Sequence, residues 1–130
     1  MDLQTDKTFV YINTRDEMSR IDLRQIVYFK ADRNYTEAFF RNGTSLLLGV
    51  NIQTIEKILD MPDLKGRIPV FARIGRSFIV ATRYIQHINL LNLTLTLSDV
   101  MLPTVYHLNV PKEALKKLKE FYTQKVCQKH

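Results

Sequence analysis

Arg67, Arg73, Arg76 and Arg83 fall within seventeen positions, interleaved with the aromatics Phe71, Phe78 and Tyr84. A guanidinium is planar, forked and permanently charged, which suits two-point contacts with phosphate oxygens or with guanine O6 and N7. Apolar neighbours can anchor such a segment in a core while its arginines project from the ends. A second polar cluster, Lys30-Ala31-Asp32-Arg33-Asn34-Tyr35-Thr36, joins two apolar runs and carries donors and acceptors able to reach base edges or phosphates. Asp32 and Asn34 equally suit turn-making through their own side-chain hydrogen bonds.

Patterns for catalysis are thin. GxGxxG, GxxxxGKS/T, GxSxG and HExxH are all missing from the chain. His87, His107 and His130 have no acid or ligand partner at a telling spacing, and His87 reads as a surface or edge residue. Cys127, the one cysteine, has neither a positioned base nor a partner for a disulfide or a zinc site, and suits a reducing compartment. No cofactor and no metal are expected.

The charge distribution favours a polyanionic partner. Residues 66–130 hold ten basic and three acidic side chains, against nine and ten in residues 1–65, and the net charge is +6. With 45% hydrophobic and 25% charged residues the composition is that of a globular chain, and 130 residues suit one domain. The first seven residues lack the basic and apolar regions of a signal peptide, and no apolar run approaches the length of a bilayer span, so the expected location is the cytoplasm, with no membrane partner.

The elements that must position the cations are mostly strands. Leu91-Asn92-Leu93-Thr94-Leu95-Thr96-Leu97-Ser98 alternates strictly and predicts a half-buried antiparallel strand with four leucines on one face. Shorter strands are expected at Thr8–Asn13, Ile26–Phe29, Tyr35–Arg41, Ser45–Leu48, Ser77–Val80, Tyr84–Asn89 and Val105–Asn109. Asn42-Gly43 predicts a type I′ hairpin turn, and Asp16, Glu17 and Asp22 read as a turn before Ile26. Asn51–Asp60 spaces Ile52, Ile55, Ile58 and Leu59 as a helix, ended by Met61-Pro62. The last segment opens with Pro111 in its first turn and stacks Leu115, Leu118 and either Phe121 or Tyr122 on one face. Its lysines Lys116, Lys117 and Lys119 read as a solvated face.

Ile26-Val27-Tyr28-Phe29-Lys30-Ala31-Asp32-Arg33-Asn34-Tyr35-Thr36, then the Ile52–Leu59 helix, then Phe71-Ala72-Arg73-Ile74-Gly75-Arg76-Ser77-Phe78-Ile79-Val80 and Ile85–Ile88, resemble the LytTR DNA-binding domain of bacterial transcription regulators. The likeness runs from about Thr8 to Tyr122, a single domain over residues 1–130 with a core of about 8–122. It implies a mostly β fold of small stacked antiparallel sheets, with one short helix between strands and a C-terminal helix. It also implies that inter-strand loops enter successive major-groove faces of a bent duplex. Carried onto this chain, the first contact loop is Arg33, Asn34, Tyr35 and Thr36, with Thr36 on a base. The second is Arg73, Arg76 and Ser77, with Arg76 on a base, and the third is Lys112. Gly75 stands where the family often has His, Ala81 where it often has Asn, and Pro111-Lys112 where Ser-Arg is usual.

The expected function is therefore sequence-specific binding of promoter DNA, at repeated sites and with a possible homodimer on DNA, by a non-enzymatic transcription regulator. Such domains usually follow a receiver. No phosphoacceptor pattern precedes the first strand here, so the chain reads either as an output domain acting without one or as a part of a longer regulator. The alternatives are a protein-interaction module docking onto a signalling partner, which an exposed strand edge on the neutral half would support, and a small enzyme built around His87 or His107.

Overall fold

The computed structural model describes residues 8–64 and 66–126, with side chains through Thr123. Ten strands, β1 (Phe9–Asn13), β2 (Met18–Asp22), β3 (Ile26–Asp32), β4 (Tyr35–Phe40), β5 (Ser45–Leu48), β6 (Phe71–Ile74), β7 (Phe78–Ala81), β8 (Ile85–Asn89), β9 (Thr94–Leu97) and β10 (Tyr106–Asn109), alternate with α1 (Ile52–Leu59) after β5 and α2 (Lys112–Val126) after β10. All strand pairing is antiparallel, in three sheets: β1-β2, β5-β4-β3-β7-β6 and β10-β9-β8.

The five-stranded sheet is the middle layer. Its central strands read Ile-Val-Tyr-Phe and Phe-Ile-Val-Ala because both of their faces are buried. On one side Phe29, Ala38, Leu48 and Ile79 pack against Ile52, Ile55 and Leu59 of α1 and Ile12 and Ile21 of the β1-β2 hairpin. On the other, Tyr28, Phe78 and Val80 meet Leu95 and Leu97 of β9 and Leu115 and Leu118 of α2. Tyr28 stacks on Phe39 with ring centroids 4.3 Å apart and meets Tyr106 edge-on at 5.2 Å, welding the two larger sheets. Burial, with Tyr106 and Glu37 beside it, pushes the Tyr28 phenol well above its usual range.

Helix ends follow ordinary capping chemistry. The Asn51 side chain accepts from Thr54 N at 2.9 Å and opens α1, and the Pro111 carbonyl accepts from Leu115 N at 3.1 Å, so α2 starts one residue after the proline. Tyr122, not Phe121, completes the buried face of α2.

Four expectations are corrected. β2 takes up part of the turn expected before Ile26: Asp16 and Glu17 do turn the chain between β1 and β2, but Met18–Asp22 is a strand, half solvated and without an alternating signal. β6 is likewise a strand that its sequence did not announce. The hairpin at Asn42-Gly43 is not type I′, since Gly43 has φ +90° and Asn42 does not have positive φ. Gly43 N donates to Phe40 O and Phe40 N to Thr44 O, a three-residue loop with glycine in the left-handed position. The leucine strand begins only at Thr94: Leu95 and Leu97 are buried, whereas Leu91 and Leu93 lie outside in the β8–β9 turn.

Candidate nucleic-acid interface

Antiparallel pairing brings two cation-bearing turns to one end of the central sheet. Asp32 pairs with Tyr35, leaving Arg33-Asn34 as the β3–β4 loop; Ile74 pairs with Phe78, leaving Gly75-Arg76-Ser77 as the β6–β7 loop. β3 and β7 are neighbours, and Ala31 N donates to Ser77 O at 2.8 Å, so the loops lie side by side.

Arg33 has φ +59° and Asn34 does not have positive φ, the signs of a type II′ turn, whose first position ordinarily goes to glycine. A non-glycine residue there costs about 1–2 kcal/mol. Arg33 and Asn34 are exposed and Tyr35 is half-exposed.

The β6–β7 loop is fixed from inside by Arg73. Its Nε donates to Gly75 O at 3.1 Å, its Nη2 to Arg76 O at 2.9 Å and its Nη1 to Glu56 Oε1 of α1 at 2.6 Å. Gly75, at φ +63°, makes the bend. A β-carbon on Gly75 would stand 3.6 Å from Ala114 Cβ and 3.8 Å from Pro111 Cδ, which places the start of α2, and hence Lys112, beside the loop. Arg76, Ser77, Asn109, Pro111 and Lys117 line one groove of about 750 Å³ between loop and helix.

The expected contact residues thus separate into two groups. Arg33, Arg76 and Lys112 are exposed, and their side chains make no hydrogen bond or ion pair with any described residue. Ser77 is exposed beside Arg76, and Glu113, the residue after Lys112, lines the groove. Two expectations are corrected. Thr36 is fully buried, its hydroxyl donating to Val50 O at 2.9 Å, so it ties the hairpin to the β5–α1 junction and offers no surface to a base. Arg73 is committed to Glu56 and the loop carbonyls, and shapes the turn from which Arg76 projects. Glu56 escaped notice in the sequence; it stands seventeen residues from Arg73 on a helix, and nothing local marks it.

The remaining chemistry is sparse. His87 is exposed, and His107 Nδ1 lies 3.3 Å from the Thr96 hydroxyl, with no carboxylate bonded to either among the described residues. No group of three or more His, Cys, Asp or Glu is placed to hold a metal among the described residues. Cys127 and His130 lie outside them. Among the described residues no helix is long and apolar enough to cross a membrane.

The LytTr DNA-binding domain model matches residues 16–123. This chain belongs to the LytTR DNA-binding domain family. The fold agrees: the LytTR domain of a Bacillus cereus protein, described as a methyl-accepting/DNA response regulator, superposes with a TM-score of 0.60 over 88% of this chain and 96% of that one, at 20% identity. A search of curated proteins finds no match. The mostly β, three-sheet architecture with two helices is that of the LytTR family.

Proposed function

We propose that this LytTR chain recognises specific double-stranded promoter DNA with its inter-strand loops in the major groove, and so regulates transcription. The observation that carries the reading is the row of unpaired cations Arg33, Arg76 and Lys112 on adjoining turns along one edge. Arg33, Asn34 and Tyr35 form the first contact, Arg76 and Ser77 the second and Lys112 the third. Thr36 and Arg73 act as positioning residues. Sequence preference comes mainly from Arg76, whose bidentate reach to guanine discriminates by about 1–3 kcal/mol. Lys112, a point charge, anchors phosphate. Repeated sites would place two copies on one duplex.

The test is a fluorescence-anisotropy titration against a promoter-fragment pool and then the selected duplex. With about six phosphates neutralised, log K falls against log salt with a slope near −5, from about −0.9 per phosphate. Arg76→Ala flattens the preference among duplexes, and Lys112→Ala weakens all of them alike. Absence of binding to every duplex, or binding indifferent to salt, refutes the reading.

One feature supports a second role, docking to a protein partner. β5 is an outermost strand on the neutral half, and its Leu46 and Leu47 are 39% and 48% exposed. Gel filtration with and without DNA separates the two: protein-driven association persists without DNA and is lost in Leu47→Glu.

A further inference from the structure

The β8–β9 turn breaks two local rules at once. Leu91 stands at its tip with 95% of its surface exposed, and Leu93 holds φ +56°, a conformation that favours glycine or asparagine. The turn is nevertheless braced. Asn89 Oδ1 accepts from both Leu91 N and Asn92 N at 2.9 Å, and the Leu93 carbonyl accepts from Val110 N at 3.0 Å. That last bond places the turn against the β10–α2 junction, two residues before Lys112. Asn89, Thr94 and Asn109 pair across the three strands, so the turn emerges at the end of this sheet from which α2 departs toward Gly75. A single exposed leucine needs no explanation. One whose backbone is braced at the tip of a strained turn, beside a row of free cations, is where a breach of local preference points to a ligand.

We propose that Leu91 is an apolar DNA anchor: on the edge that carries Arg33, Arg76 and Lys112, it packs against the base pairs of the bound duplex. The inference rests on the DNA-binding reading above and adds to it a contact of a different kind. Phosphate-directed lysines and arginines release counterions on binding, whereas a leucine releases none. Apolar side chains serve DNA recognition by packing on the thymine methyl group or by wedging between base steps. The bracing of the turn's backbone by Asn89 and Val110 means that little loop ordering is needed when the duplex arrives.

The experiment is the anisotropy titration of Leu91→Ala on the selected duplex over a range of salt. Because Leu91 is solvated in the free protein, its melting temperature should match that of the wild type. Affinity is expected to fall about tenfold, in line with loss of part of a buried leucine's contact, with the salt slope unchanged. Deoxyuridine scanned through the thymine positions then tests methyl packing: one substitution should weaken the wild type and leave Leu91→Ala indifferent. A 2-aminopurine scan tests wedging: one position should brighten with the wild type and not with the variant. Unchanged affinity, or a shallower salt slope, overturns the anchor while the DNA-binding function stands. A wild-type protein that binds no duplex refutes both.

Discussion

Single residues on the proposed DNA-facing edge carry strain that stability alone does not explain. Arg33 sits at φ +59° with its side chain unpaired, so the backbone cost is not offset by a local contact. Replacing it by glycine should relieve about 1–2 kcal/mol of left-handed strain, of which glycine's greater freedom in the unfolded chain takes back about 0.5–1. Arg33→Gly is therefore expected to melt at or slightly above the wild-type temperature while binding DNA more weakly, with a salt slope shallower by about 1. A variant that loses stability and keeps its affinity would contradict this assignment. Asp22 offers a residue-scale test against pH. Burial would raise its carboxyl, but the Arg24 guanidinium, bonded at 3.0 and 3.2 Å, and the Arg24 backbone N–H more than offset this and lower it below 3.8. A carboxylate lowered on folding stabilises above its unfolded value, and that contribution is lost as pH falls through the folded one. The difference in melting temperature between wild type and Asp22→Asn should be full at about pH 7 and close below about pH 4.

At the scale of elements, the β6–β7 loop is a device assembled from three parts of the fold. Gly75 supplies the bend, Arg73 on β6 pins the carbonyls, and Glu56 on α1 pins Arg73. Gly75→Val is expected to cost about 1–2 kcal/mol by thermal melting, because a β-branched residue resists positive φ. The added Cβ itself would meet Ala114 and Pro111 at ordinary contact distances, so the β-carbon brings a conformational penalty and no clash of its own. Gly75→Asn should cost less, as asparagine tolerates that region, and equal losses for both would disprove the conformational account. Glu56→Ala leaves Arg73 with its two carbonyl partners but without its anchor on α1. Its sequence preference should weaken toward that of Arg76→Ala although Glu56 itself faces no DNA, and unaltered discrimination would remove it from the positioning scheme.

Over the whole molecule, β3 ties two cores together. Phe29 points into the core beneath α1, and the adjacent Tyr28 into the core shared with β9, β10 and α2. Phe29→Ala and Tyr28→Ala, each costing about 3–5 kcal/mol, should both move one cooperative transition, seen identically by far-ultraviolet and near-ultraviolet circular dichroism. A melt that splits into two in either variant would show the cores to be independent. Joined cores matter for the proposed DNA contact, because the edge formed by the β3–β4, β6–β7 and β10–α2 turns keeps its spacing only while both layers hold.

Much of this protein was readable in the chain. Alternation and runs of β-branched and aromatic residues placed eight of the ten strands, Asn51 and Pro111 marked the helix starts, and the Arg73–Val80 segment carried much of the family resemblance. Each of those signals is local, with a residue's type and its near neighbours deciding strand, turn or helix. Which cation remains free is not local. Arg73 and Arg76 stand three positions apart with the same chemistry, and only the arrival of Glu56 from α1 makes one a strut and leaves the other open to solvent. Thr36 is drawn inward by Val50, and the alternation that promised four leucines on one face ends where Asn89 and Val110 turn the chain outward. Pattern fixes the face on which a side chain stands; what lies opposite that face is settled by packing between segments distant along the chain.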